Sequence, residues 1–297
     1  MQGSASQPAI DFYITEPNVP LEFAVPILQN FELKDASDFF EMPKGEYQVR
    51  ITLPWEMEPI YDSGTITLDG RSIITAAVVD AGGGFSPVSL VFLTNDKEEP
   101  VVQIPDTRSL LRVIHASPDA PIFLDIFVDD TEVFSNAHFM GASDYQEVRA
   151  GNRNIRVDEA LNPVTLIAQT VGLLGGKDYS LLLANFVQNI ELVLLPDDRA
   201  APKINRAKVR FIHASPDAPD IDVLIDGVVV LANLPFKGVT DYLEVWVGDR
   251  ELRLNEAGTT NMLAEVMPTP SLEDGKVYTL MAAGDLQNID AVLLTDN

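Results

Sequence analysis

Apolar and polar residues alternate with a period of two along most of the chain. In Ile221-Asp222-Val223-Leu224-Ile225-Asp226-Gly227, residues 221, 223 and 225 point one way and Asp222 and Asp226 the other. Gln48-Val49-Arg50-Ile51, Asn154-Ile155-Arg156-Val157 and Glu251-Leu252-Arg253-Leu254-Asn255 follow the same rule, whereas Tyr179-Ser180-Leu181-Leu182-Leu183-Ala184 is apolar on both faces and reads as a central strand. Turn residues interrupt these runs about every 8–12 positions, the spacing of a sandwich of short strands. Gly45, Gly151 and Gly248 recur at one hairpin position and Gly70, Gly176 and Gly275 at another, which predicts backbone of positive φ there. No segment sustains a helical period. The pattern predicts an all-β chain with about seven strands per domain, in an immunoglobulin-like or related Greek-key β-sandwich.

The pattern also repeats. Arg112-Val113-Ile114-His115-Ala116-Ser117-Pro118-Asp119-Ala120-Pro121 returns as Arg210-Phe211-Ile212-His213-Ala214-Ser215-Pro216-Asp217-Ala218-Pro219, nine of ten positions being identical. Ser143-Asp144-Tyr145-Gln146-Glu147-Val148 matches Thr240-Asp241-Tyr242-Leu243-Glu244-Val245, and Gln188–Asp198 matches Gln287–Asn297. A more diverged copy precedes both: Ile10–Ile14 aligns with Leu124–Val128, Ser37–Met42 with the Ser143 segment, and Leu90–Asp96 with the closing strand. In this first copy Ser4-Ala5-Ser6 stands where the others have His-Ala-Ser, and no counterpart of Leu110–Ile114 precedes it. Three tandem domains are therefore expected: 1–96, diverged and lacking its opening strand; 110–198; and 207–297. The segments 97–109 and 199–206 read as short, proline-containing linkers. The missing strand reads as a cut end, or as an open sheet edge for self-association or strand donation at the first repeat.

The His-Ala-Ser-Pro-Asp-Ala-Pro stretch, the Ile-Asp-Val strand, the Asp-Tyr segment and the Leu-Leu-x-Asp ending together resemble a bacterial exported family known as a domain of unknown function, family 4397. The resemblance covers about 110–198 and 207–297 fully and the first copy loosely. It implies tandem domains on secreted or envelope-associated bacterial proteins, often behind a signal peptide or lipoprotein anchor. It implies no catalytic activity.

Composition narrows the function classes. With 20 basic and 45 acidic residues the chain carries a net charge of −25, which repels nucleic acid and anionic membrane. The absence of cysteine excludes disulfides, thiol catalysis and Cys-type zinc sites. No apolar run approaches ~18 residues, so no membrane insertion is expected. Met1-Gln2-Gly3-Ser4 opens without a basic start or apolar core, so an exported protein would have its targeting segment outside this chain.

His115, Ser117 and Asp119, repeated as His213, Ser215 and Asp217, are the residue types of a serine hydrolase. Packed into five positions where a strand meets a turn, they read instead as a structural motif, with Pro118 and Pro216 presetting the turn and the Ser and Asp side chains bonding nearby main chain. The three histidines are too scattered for a transition-metal site. Asp129-Asp130-Thr131-Glu132 and Glu273-Asp274-Gly275 read as solvated turns, able at most to hold calcium loosely, so no cofactor is expected. Asp11, Asp125 and Asp222 share one strand position, and Arg50, Arg156 and Arg253 another, which suggests a cross-strand ion pair in each copy. Trp246 is expected to pack between repeats or to offer a carbohydrate-stacking face.

These features read as a non-enzymatic exported or cell-surface repeat protein, extracellular or in the bacterial envelope, with a structural, adhesive or assembly role such as a filament or envelope subunit. The alternative is a module that binds glycan, peptide or calcium through loops at the sandwich ends.

Overall fold

The structure, a computed structural model, describes residues 1–162 and 164–297. Among them the chain is all-β, with only two short 3-10 turns. The first repeat contains β1 (Ala9–Thr15), β2 (Leu28–Glu32), β3 (Gly45–Thr52), β4 (Pro59–Leu68), β5 (Ile74–Asp80), β6 (Val88–Thr94) and β7 (Val101–Ile104). The second contains β8 (Arg108–His115), β9 (Phe123–Val128), β10 (Thr131–His138), β11 (Gln146–Arg149), β12 (Gly151–Glu159), β13 (Thr165–Leu173), β14 (Asp178–Ala184) and β15 (Glu191–Asp197). The third contains β16 (Arg206–His213), β17 (Ile221–Ile225), β18 (Val228–Leu234), β19 (Leu243–Trp246), β20 (Gly248–Asp249), β21 (Leu252–Glu256), β22 (Met262–Glu265), β23 (Ser271–Leu272), β24 (Val277–Ala283) and β25 (Asp290–Thr295).

Each full repeat is a sandwich of two four-stranded sheets. In the third repeat the orders are β18-β17-β21-β22 and β19-β16-β24-β25; in the second they are β10-β9-β12-β13 and β11-β8-β14-β15. Eight strands form these sheets where the turn spacing suggested seven. The added strand follows from the parallel pairing of β16 with β24, which seats the opening strand inside a sheet. Inward residues of the two sheets, among them Val209, Phe211, Val223, Leu254 and Leu280, make the core of the third repeat. The first repeat pairs β2-β1-β3-β4 with a three-stranded sheet, β5-β6-β7. Its β7 lies inside the segment read as a linker, 97–109, and pairs with β6 from Leu90↔Ile104 to Leu93↔Val101. The segment 199–206 reaches strand only at Arg206. The chain forms two compact units, one of Met1–Leu110 with 147–151 and 172–178, the other of the remaining residues.

The shared aspartates do not pair with the shared arginines. Asp11 lies opposite Thr52 and Arg50 opposite Tyr13, so the two charges are offset along the same face. In each repeat the carboxylate instead takes main-chain N–H groups freed by a bulge in the neighbouring edge strand. Asn30, Asn136 and Asn233, at φ 46°, 53° and 56°, donate to Asp11, Asp125 and Asp222 at 2.7, 2.8 and 2.8 Å. The second oxygen of Asp222 accepts from Gly258 N–H at 2.9 Å, and that of Asp11 from Trp55 N–H at 3.3 Å. A bulge leaves ladder groups unpaired, and an ionised acceptor beside them is the strongest neutral-pH substitute. The arginines find local partners: Arg50 the Thr15 hydroxyl, Arg156 the Asp158 carboxylate, Arg253 the Glu251 carboxylate.

The turn aspartates behave similarly. Asp129 and Asp130, at φ 49° and 65°, form the two-residue turn between β9 and β10, and Asp129 accepts from Asn154 N–H and Arg153. Positive φ is found at Gly151, Gly176, Gly248 and Gly275; in the first repeat neither Gly45 nor Gly70 has it, and Arg71 takes it beside Gly70.

If Asp222 holds its bulge and hairpin as described, Asp222→Ala costs about 1–3 kcal/mol, because two N–H groups lose an acceptor in a buried setting. Urea unfolding of the two chains measures this, and equal midpoints would refute the assignment.

Candidate functional site

The motif His115-Ala116-Ser117-Pro118-Asp119 begins at the last residue of β8, where the chain leaves the sheet. His115 and His213 are fully buried. His115 Nε2 lies 3.0 Å from the carbonyl oxygen of Pro121, and His213 Nε2 lies 3.0 Å from that of Pro219. A carbonyl only accepts, so Nε2 carries the proton and Nδ1 presents its lone pair. That lone pair receives the N–H of Ser117, or of Ser215, at 3.4 Å. Each imidazole thus closes the turn from both ends while its ring packs edge-on against Phe139 or Phe236.

With both nitrogens engaged by main chain, the imidazole has no lone pair for a serine proton. The Oγ atoms of Ser117 and Ser215 are buried and without a partner among the described residues. Asp119 and Asp217 point elsewhere, accepting from Val187 N–H at 2.6 Å and Leu286 N–H at 2.8 Å. The motif residues are therefore brought together as a turn, and the expected bonding to main chain is found for the aspartates but not for the serine hydroxyls. Pro118 and Pro216 sit at the turn itself.

The first repeat reveals what the histidine does. Gln2, not Ser4, occupies the histidine's place: it bridges Val78 in the parallel ladder as His213 does Ala282. Its Nε2 donates to Gln7 O at 2.7 Å and its Oε1 accepts from Ser4 N–H at 2.9 Å. An amide supplies the same donor and acceptor as a neutral imidazole. The alignment of Ser4-Ala5-Ser6 with His-Ala-Ser is thus corrected to Gln2-Gly3-Ser4. Ser4 and Ser6 instead crowd the Asp80 carboxylate, whose pKa their hydrogen bonds hold well below the usual range.

A second constellation, absent from the sequence reading, joins the second and third repeats. Arg112 and Arg210 are each 1% exposed. Arg112 Nε donates to Ser180 of its own repeat at 2.8 Å, while its other nitrogens reach Thr295 O at 3.0 Å and Asp296 at 2.6 Å in the third repeat. Arg210 repeats this in reverse, donating to Thr279 at 2.8 Å in its own repeat and to Asp197 at 2.7 Å and Pro196 O at 3.3 Å in the second. Tyr145 and Tyr242 donate to Asp197 and Asp296 at 2.6 and 2.7 Å, and the Ser180 and Thr279 hydroxyls add further bonds. Each guanidinium also lies over one of these tyrosine rings, at 5.0 and 5.1 Å. Burial opposes the charge on Arg112, but Asp296, Tyr145 and Asp197 outweigh it and hold the pKa above the ordinary arginine value. Burial and the adjoining aspartates push both tyrosines far above theirs. Around this knot Ile114, Leu182, Leu195, Ile212 and Met281 form one apolar cluster drawn from both repeats.

Other candidates are placed as follows. Trp246 is exposed, with the Arg206 guanidinium 3.3 Å over one face of its ring. Among the described residues no group of three or more His, Asp or Glu side chains is placed to hold a metal ion. Nor, among the described residues, is any helix long and apolar enough to cross a membrane.

Burial, the largest influence, lowers the pKa of His115 and His213; the Pro121 and Pro219 carbonyls oppose it only partly. Unfolded histidine titrates near ~6.5, so the unfolded chain binds protons first and stability falls as pH drops through that value toward the folded pKa. Stability is complete above it. Thermal midpoints between about pH 7.5 and 5.5 should therefore decline, and the double variant His115→Gln/His213→Gln should fold and show a shallower decline. His115→Ala, which strands a carbonyl and an N–H, should cost about 2–3 kcal/mol. A glutamine variant as damaged as the alanine one would overturn the equivalence with Gln2.

No curated protein matches the sequence. Among solved structures, the Bacillus anthracis TIE protein aligns over 93% of this chain and 52% of its own, at 10% identity and a TM-score of 0.22. This chain thus spans about half the length of that one, and the likeness carries no argument. A family model matches three tandem segments, 1–123, 109–224 and 207–297. With matches along its whole length, the chain belongs to the family described as Domain of unknown function (DUF4397).

Proposed function

We propose that the protein is a non-enzymatic repeat protein of the bacterial envelope or exterior, with a structural, adhesive or assembly role and no resident cofactor. The observation that carries this reading is the reciprocal Arg112–Asp296 and Arg210–Asp197 exchange. It commits the buried polar chemistry of two repeats to holding them together, as a load-transmitting or spacing element requires. The motif histidines, whose nitrogens both serve the turn, support it further. A surface of net charge −25 suits a protein kept apart from nucleic acid and anionic lipid.

The reading predicts that the second and third repeats unfold as one body under force. Removing one partner, as in Arg112→Met, leaves a buried carboxylate uncompensated and should cost about 3–5 kcal/mol. Arg112→Met/Asp296→Leu should cost less than the two single changes together, the mark of direct coupling. Single-molecule pulling should record one rupture for the pair of repeats in the native chain and two in Arg112→Met. Two independent ruptures in the native chain, or its confinement to the cytoplasm on fractionation, would overturn the reading.

One observation favours the alternative, a module that recognises glycan or peptide through end loops. Trp55 is 78% exposed at the tip of the β3–β4 hairpin with φ +70°, where the third repeat has Gly258 at +71°. A bulky side chain in this conformation costs about 1–2 kcal/mol relative to glycine. Trp55→Gly should leave stability unchanged or raise it by up to about 1 kcal/mol in urea titrations. If it also abolishes retention on a glycan or peptide array, the exposed ring is a contact; unaltered retention would remove this reading.

A further inference from the structure

Each repeat ends one of its sheets in the same edge strand: β2, β10 and β18. In the third repeat β18 is joined to β17 by a two-residue turn at Asp226 and Gly227, both at positive φ. The turn closes on the pair Ile225↔Val228, whose main-chain groups face one another. The next pair is Leu224↔Val229, so the N–H and C=O of Val229 turn away from β17 toward the open side. The second repeat keeps this register, with Thr131↔Val128 and Glu132↔Phe127 behind the turn at Asp129 and Asp130. In the first repeat Leu28 pairs with Phe12 as Leu231 pairs with Val223, and two positions before Leu28 stands Pro26.

One edge position thus carries Pro26, Glu132 and Val229 in turn. Proline removes the outward N–H, and a carboxylate resists a second strand laid alongside; both keep a sheet edge from pairing. The third repeat has neither. Val228–Leu234 holds no charged side chain, and Val228, Val229 and Val230 are 64%, 50% and 37% exposed. An apolar edge with open main chain is a template for another strand. The exposure belongs to the domain itself. β18 lies within its repeat, and its counterpart β10 is largely exposed although another repeat follows it.

We propose that β18 pairs with β18 of a second copy of this chain, antiparallel, about a two-fold axis at Val229. Charge identifies the occupant. Two bodies of net charge −25 repel, so they meet at least cost where neither presents a carboxylate, and this edge is such a place. A partner of opposite charge would gain from acidic groups on the edge, and the edge offers none. About the axis each Val229 donates its N–H to the other copy's carbonyl and accepts in return, and the valine side chains of the two strands meet across the join. The contact is isologous and closes at two. The same pairing of β10 would set two copies of Glu132 against each other, like charges at cross-strand distance. The inference rests on the assembly reading for its purpose alone, and gives that reading the surface through which copies join.

Sedimentation of the full chain should show a monomer–dimer equilibrium that moves toward dimer as salt rises from about 0.05 to 0.5 M, because screening weakens the repulsion between copies. Hydrogen exchange at Val228–Val230 should slow as dimers form. Val229→Glu, which restores the residue type of the second repeat, should weaken dimerisation at least about tenfold, a loss of about 1.4 kcal/mol. The thermal midpoint of its monomer should stay at the native value, and Val229→Thr should pair as the native chain does. Val229→Glu and Val229→Lys copies should pair more tightly when mixed than either does alone, since the axis sets the two side chains opposite each other. A native chain still monomeric at about 100 μM in high salt would overturn the proposal, because a contact weaker than that serves no assembly. So would Val229→Glu dimers as tight as native ones, or dimers in which Val228–Val230 exchange freely. Occupation of the edge by a synthetic strand of alternating lysine and valine, where the chain itself does not pair, would overturn it too. Monomers whose second and third repeats still rupture together would remove this contact and leave the assembly reading standing on the ionic exchange.

Discussion

A carboxylate taken out of water must recover its lost donors from the protein, and Asp197 and Asp296 recover theirs from two repeats at once. Each takes a tyrosine and a hydroxyl from its own repeat and a guanidinium from the other. Neither carboxylate is satisfied until both domains are folded and docked. The apolar layer around them supplies the attraction, but apolar contact is indifferent to direction. The ionic exchange decides which faces meet and in which register. Buried pairs of this kind add little net stability compared with well-packed apolar groups, and their cost when half-removed is what makes them specific.

The first repeat lacks the tyrosine and the aspartate of this set. Phe39 stands in place of the tyrosine and Asn95 in place of the aspartate. A network of this sort is useful only when complete, since a partly satisfied one leaves a charge stranded in low dielectric. The concerted departure of tyrosine and aspartate follows from that.

The repeats, the all-β class and the period-two strands were legible because they rest on local alternation and on self-similarity. The knot was not, although every member lies in a matched segment. Arg112 opens the repeated motif, Tyr145 and Tyr242 sit in the Asp-Tyr segment, and Asp197 and Asp296 close their domains. Nothing local marks an arginine as reaching into the next domain; the available signal was the joint loss of tyrosine and aspartate from the first repeat. The expected Asp–Arg pairs failed for a related reason. Side-chain alternation places the residues on a face, but a bulge in the next strand creates N–H groups nearer to Asp11, Asp125 and Asp222 than any guanidinium.

Internal repetition separates residues that keep the fold from residues free to do something else. Where all three copies agree, as at the bulge-capping aspartates, the shared geometry accounts for the side chain. Where one copy differs but its hydrogen bonds are unchanged, as with Gln2 for histidine, the difference is neutral: an amide and an imidazole meet one requirement in two ways. The informative departures are those that leave something unpaired or strained. Trp55 occupies a glycine's backbone conformation with its ring in water, and Phe39 stands at a tyrosine's position with no strand alongside. Folding alone rewards neither arrangement. Both belong to the first repeat, the copy in which the tyrosine and the aspartate of the ionic exchange are replaced.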